Sequence, residues 1–234
     1  TNSSNFNVNK ILEITLHNGY DPLTKKQLGI KTGDPRKFTC IGDVMEAFEA
    51  QLDFFMEKMI KLANATLGGH AFTLPTITAS CFSRGCIEKG KMLQQKGSDH
   101  HYTTVSIASM ANLIDSFAAM EECVFNKGYL SMEELLQLLD TNFEGKENMR
   151  QLLINKAPKY GNNIEQADKY GEWFVDRIDR SMKRFKDAHG GQWTSLHATV
   201  VYNVEMGKNV GAMPDGRLAF SPLADNASPM TGMD

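Results

Sequence analysis

Residues 43–64 constrain the fold more than any other stretch of the chain. Met45, Phe48, Leu52, Phe55, Met59 and Leu62 recur at steps of three and four, with Met56 and Ile60 flanking them. That spacing predicts an α-helix with one apolar stripe. A helix of this kind is stable only when its stripe is covered, so the chain must build a packed layer around it. Asp43 is the expected N-cap. The same period predicts helices over 8–17 (Val8, Ile11, Leu12, Leu16) and 110–125 (Leu113, Ile114, Phe117, Met120, Val124). Pro75 precedes a further helix expected over 76–92. Ser131 and Glu134 form a capping box that opens a helix over 132–140. Helices over about 145–154 and 164–187 follow, the last stopped by Gly190 and Gly191. One strand stands out, 193–204, containing HATVVYNV, while HYTTVSIA at 101–108 reads as strand or loop. Helices far outnumber strands. Periodicity alone therefore yields a helix-rich domain.

Composition removes several function classes. The 234 residues are 41% hydrophobic and 23% charged, enough for a real core and unlike a disordered or collagenous chain. Twenty-five Lys and Arg stand against 28 Asp and Glu, without a long block of either sign. That balance supports no nucleic-acid surface. No apolar run is long enough to span a membrane, and TNSSNFNVNK carries no apolar signal segment. Cys40, Cys81, Cys86 and Cys123 form no CxxC pair and no zinc-finger spacing with histidine, so reduced thiols in a cytoplasmic protein and no metal site are expected.

Four motifs carry possible chemistry. In Gly85-Cys86-Ile87-Glu88 a thiol sits two residues before a carboxylate, an acid/base pair if exposed. Helical spacing with Ile77 and Cys81 instead predicts a structural Cys86. In His100-His101-Tyr102, adjacent histidines in an extended chain point to opposite faces, so one pocket histidine, His101, is expected rather than a metal site. Gly68-Gly69, Gly190-Gly191 and Gly207 to Gly211 fit no phosphate-binding fingerprint and read as helix stops and turns. Residues 207–217, with Pro214, Asp215 and Gly216, form a chain of turns in which Arg217 can bond loop carbonyls or a carboxylate.

The segment GKNVGAMPDGRLAFSPLADNASPMTGMD resembles the signature of the glycyl radical enzymes, the pyruvate formate-lyase-like superfamily. ILEITLHNGYDPLTKKQLGIKTGDP, GCIEKGKML, MANLIDSFAAM with VFNKGYLSMEELLQLLDTNFEG, and LLINKAPKYGNNIEQAD agree with further family blocks in family order. The match is to the dehydratase and decarboxylase branches rather than to pyruvate formate-lyase itself. The resemblance implies a helix-rich α/β fold, part of a ten-stranded α/β barrel. It implies a glycine-centred organic radical, installed by an S-adenosylmethionine iron-sulfur activating enzyme, and a thiyl cysteine that abstracts hydrogen from substrate. By family order both radical residues lie outside this chain, so Cys86 does not inherit the thiyl role. Two departures stand out: Val210 replaces a usual threonine, and Gly97-Ser98-Asp99-His100-His101-Tyr102 replaces a Gly-Gly-Ala-x-Tyr-Asn block.

The chain is therefore expected to be one internal barrel segment of a glycyl radical lyase, inactive by itself. The parent is expected to act on a small organic molecule by C–O, C–N or C–C cleavage, as a homodimer. An arylacetate decarboxylase, a formate acetyltransferase-type lyase and a non-catalytic helical scaffold are the alternatives. The expected substrate contacts are His101, His197 and Thr199. His197 and Thr199 are polar positions on one face of an otherwise apolar strand.

Overall fold

Asn7 accepts a hydrogen bond from the Lys10 amide and so opens the first helix, α1 (Val8–Leu16), where the apolar period begins. The computed structural model describes residues 2–197, 202–225 and 227–230. The chain divides into two compact units. The first comprises 1–5, 55–106 and 178–196, and the second 6–54, 107–177 and 197–234.

The first unit is organised by a three-stranded sheet in the order β1 (Asn2–Asn7), β4 (Tyr102–Ala108), β5 (Gln192–Leu196). The polar run at the chain start carries no strand signal, yet it pairs as β1. Strands β4 and β5 are parallel, with Tyr102 opposite Gln192 and Ser106 opposite Leu196. Thr103, Val105 and Ser106 are all buried, as expected of a strand covered on both faces. The segment expected as one helix over 76–92 is broken into α3 (Ile77–Cys81), α4 (Cys86–Lys89) and a 3₁₀ turn at Leu93–Gln95. The break is at Gly85, whose φ of +90° is left-handed, and a Cβ there would stand 2.3 Å from the Asp99 carboxylate. Cys86 is buried on α4.

The long helix α2 (Ile41–Thr73) crosses both units and outruns its expected end at 64. Gly68 and Gly69 lie inside it and do not stop it. Its buried stripe is Val44, Phe48, Leu52, Met56, Ile60, Ala63 and Leu67, so Met56 and Ile60 are central and Leu62 is exposed. Asp43 is not the cap. It sits in the first turn and accepts hydrogen bonds from the Thr39 and Cys40 amides outside the helix.

In the second unit, a short hairpin, β2 (Tyr20–Asp21) and β3 (Lys26–Gln27), follows α1. Next come α5 (Met110–Ala119), which continues as a π-turn at Met120–Asn126, then α6 (Met132–Asp140), α7 (Glu147–Lys156) and α8 (Glu165–Lys183); α5 and α8 meet α2 at Phe48, while α7 packs on α5. The capping box of Ser131 and Glu134 forms as expected, and α6 runs over the expected residues. The core is aromatic. Phe48 meets Phe117 edge-on at 5.5 Å, Trp173 meets Phe117 at 5.3 Å, and Tyr170 stacks on Phe117 at 5.6 Å. The strand expected over 193–204 ends at Leu196, and α9 (Asn203–Gly207) occupies its last residues. There the β-preference of Tyr202 and Val204 is overridden by a tie between Asn203 and Leu223. The Leu223 amide donates to Asn203 O and the Asn203 side chain donates to Leu223 O. Among the described residues, no helix is long and apolar enough to cross a membrane.

Candidate functional site

In the first unit the expected residue His101 sits in a polar cluster built on Asp187. This carboxylate closes the turn between α8 and β5. Its Oδ1 accepts the His189 amide at 2.8 Å and the Gly191 amide at 2.7 Å, and its Oδ2 accepts the Thr103 hydroxyl of β4 at 2.7 Å. A Cβ at position 191 would stand 2.7 Å from Asp187 Oδ2, so a larger residue there would push against the carboxylate that the turn holds. Burial by itself would raise the Asp187 pKa, but the Thr103 hydroxyl and the two amides outweigh it and hold it below the ordinary carboxylate value. His101 Nε2 lies 3.2 Å from the same Oδ2 but off the line of a hydrogen bond, so the contact is electrostatic. Burial pulls the His101 pKa below that of a free histidine, against the smaller pull of Asp187 and with the help of His189. The His101 and His189 rings meet edge-on at 5.2 Å. With His70, Thr76 and Gln94 they line a cavity of about 240 Å³. An uncharged imidazole in such a wall can accept a proton or a hydrogen bond.

His197 belongs to the second unit and follows the end of β5. Its ring meets Phe174 edge-on at 6.5 Å, and neither ring nitrogen has a partner among the described residues. Burial lowers its pKa. The expected shared strand face of His197 and Thr199 is not formed at His197, which lies outside β5. Thr199 lies outside the described residues.

The turn-rich segment after α9 closes on Arg217, which is 6% exposed. Its guanidinium donates to five backbone carbonyls: Nε to Pro222, Nη1 to Val210 and Gly211, and Nη2 to Gly207 and Ser221. Of the two partners open to it from sequence, it takes loop carbonyls. Asp215 Oδ1 accepts the Arg217 amide and its Oδ2 accepts the Asn112 side chain at 2.6 Å, while Asn112 Oδ1 accepts the Ala224 amide. Gly216 has a φ of +92°, and a Cβ there would stand 2.5 Å from Ile154 Cγ1. This segment walls a cavity of about 450 Å³ that Asp115, Arg150 and Lys159 also line. Asn112, Asp115 and Lys159 were not singled out in the sequence. A signal for two of them was there: Asn112 and Asp115 are polar residues three apart on a helix whose other residues, Ser116 aside, are apolar.

Comparison with known proteins identifies the architecture. The profile of the pyruvate formate lyase-like family matches residues 1–207. The chain is 36% identical over 229 residues to trans-4-hydroxy-L-proline dehydratase of Clostridioides difficile, covering 97% of this chain and 29% of that enzyme. The crystal structure of hydroxyproline dehydratase from the same organism, with trans-4-hydroxy-L-proline bound, superposes with a TM-score of 0.94 at 35% identity, over 98% of this chain and 29% of the other. The glycerol-bound B12-independent glycerol dehydratase of Clostridium butyricum superposes with a TM-score of 0.90 at 32% identity, over 96% and 28%. The chain thus spans less than a third of the length of these relatives, and its backbone is that of part of their α/β barrel. With the profile matched through the sheet and most of the helices, the chain belongs to the pyruvate formate lyase-like family of glycyl radical enzymes.

Proposed function

We propose that the chain is one internal segment of the barrel domain of a glycyl radical dehydratase. The observation that carries this reading is its similarity, over nearly its whole length, to a dehydratase of a hydroxylated amino acid. On this reading the whole protein removes water from a small hydroxylated substrate. Hydrogen abstraction next to the hydroxyl-bearing carbon weakens the C–O bond, and a general acid protonates the departing hydroxyl. A glycine-centred radical supplies the hydrogen-abstracting chemistry, installed by a separate S-adenosylmethionine iron-sulfur enzyme. No residue of this chain is assigned a radical role, and the segment alone has no activity. Its own contribution is to wall the substrate cavity. His101 and His197 are proposed as substrate contacts because each is a neutral imidazole with unused hydrogen-bonding capacity. Thr199 is proposed beside them on the sequence argument.

The test uses the full-length protein, activated anaerobically by its radical-installing enzyme. Electron paramagnetic resonance should show a glycyl radical, and one hydroxylated substrate such as trans-4-hydroxy-L-proline, glycerol or propane-1,2-diol should lose water. His197→Ala should lower kcat or raise KM about tenfold with the melting temperature nearly unchanged. A fully formed radical that decarboxylates an arylacetate and dehydrates none of these substrates overturns the dehydratase reading.

A further inference from the structure

A cavity of about 450 Å³ within the second unit is walled by Ile154, Leu223 and Met230 and by several charged side chains. Most of those charges are already consumed. Arg217 gives all five N–H groups to carbonyls. Arg150 gives three of its five N–H groups away, its Nε/Nη2 fork to the Glu147 carboxylate and one Nη1 hydrogen to the Gly216 carbonyl. Asp215 is held by Asn112 and the Arg217 amide. Asp225 is exposed to solvent.

Two groups are different. Lys159 is 8% exposed and its Nζ makes one hydrogen bond, 3.3 Å to the Leu153 carbonyl, so two of its three N–H groups meet no acceptor among the described residues. Asp115 is 2% exposed. Its Oδ1 accepts the Tyr160 amide at 2.8 Å, and its other oxygen takes no hydrogen bond from the described residues. The two do not form an ion pair with each other, although both face the same cavity. A buried ammonium with two idle donors beside a buried carboxyl is costly unless something bridges them.

We propose that this cavity binds a small monocarboxylate, held by the two free N–H groups of Lys159 and by the proton of Asp115, with its hydrocarbon part against Ile154, Leu223 and Met230. Lys159 offers a single point charge to match one carboxylate, and the guanidinium forks that a phosphate dianion prefers are engaged, Arg217 by carbonyls and the Nε/Nη2 edge of Arg150 by Glu147. Asp115 can supply the proton near neutrality. Burial pushes its pKa up to about 7, opposed by the Tyr160 amide and Lys159 and assisted by Asp215 and Asp168. Once Asp115 ionises, it repels the ligand, so affinity falls as pH rises through that range. The site does not depend on the dehydratase reading, since neither residue is one of the proposed substrate contacts.

The experiment is calorimetric titration of the full-length protein with sodium butyrate at pH 6 and pH 8, at constant ionic strength. Saturable binding is expected at pH 6 and at least fivefold weaker binding at pH 8. Lys159→Met should abolish it, and Asp115→Asn should bind equally at both pH values, because the amide keeps a donor and cannot ionise. Absence of saturable binding at both pH values overturns the proposal. So does unchanged affinity in Lys159→Met, persistent pH dependence in Asp115→Asn, or displacement of butyrate by equimolar inorganic phosphate. If Lys159→Met does not fold, the Asp115→Asn comparison decides.

Discussion

Asp115 makes a stability prediction separate from any ligand. Its folded pKa, about 7, lies above the ordinary value of 3.8, so the folded state holds a proton that the unfolded chain has released. Stability from this residue is therefore full below about pH 3.8 and declines as pH rises towards 7. Asp115→Asn removes that decline and retains an oxygen for the Tyr160 amide. Its melting temperature should exceed the native one at pH 8, by an amount equivalent to about 2–4 kcal/mol, and by less at pH 5.5. A gain that is equal at the two pH values would contradict this reading. Arg217 has the opposite character. Lysine offers three donors in place of a planar fork of five, so Arg217→Lys should leave buried carbonyls unpaired and cost about 3 kcal/mol in chemical denaturation. Its charge is not the issue: burial lowers its pKa, partly offset by Asp215 and Glu13, yet it stays a cation that the carbonyl dipoles hold.

At the scale of elements, the turn between α8 and β5 is a polar device that propensities cannot reveal. Asp187 ties two amides of its own turn to Thr103 on the neighbouring strand. Asp187→Ala should lower stability by about 2–4 kcal/mol. Hydrogen exchange should quicken at β4 and β5 and leave α6 protected, whereas uniform loss of protection would show that the carboxylate has no local role. Helix α6 shows the converse. Its start, Ser131-Met132-Glu133-Glu134, holds a local capping rule, and both hydrogen bonds of the box form as the four residues dictate. The helix expected over 76–92 fails because Gly85 must turn left-handed beside Asp99, a partner fourteen residues away.

At the scale of the whole molecule, the first unit leaves large apolar side chains in water. Phe72, Phe82, Leu62 and Ile87 are 87%, 88%, 72% and 69% exposed. Apolar side chains of this size left in water favour association. The 234-residue chain by itself should therefore associate. Its sedimentation coefficient should rise with loading concentration, and a hydrophobic dye should bind it in the absence of denaturant. A concentration-independent monomer with a sharp two-state melt would overturn this expectation.

Elements whose cause lies within one helix or one turn are legible in adjacent residues. These are α1, α5, α6 and the turn chemistry of 207–217, whereas α8 ends at Lys183, seven residues before the glycine pair 190–191 expected to stop it. The family signature was also legible there, because Pro214, Asp215, Gly216 and Arg217 stand in fixed order. Tertiary structure alone decided where those elements bury their polar atoms. Nothing local to Arg217 says that its five donors meet five carbonyls. Nothing near Asp115 names Lys159, 44 positions on, as its neighbour in a cavity wall. The pairing of β1, a run of Asn and Ser, is likewise invisible locally, because a sheet accepts any backbone that its neighbours can bond. Short-range rules act through covalent proximity and are written in adjacent residues. Desolvation and long-range hydrogen bonds act through space, and they exist only once the chain has folded.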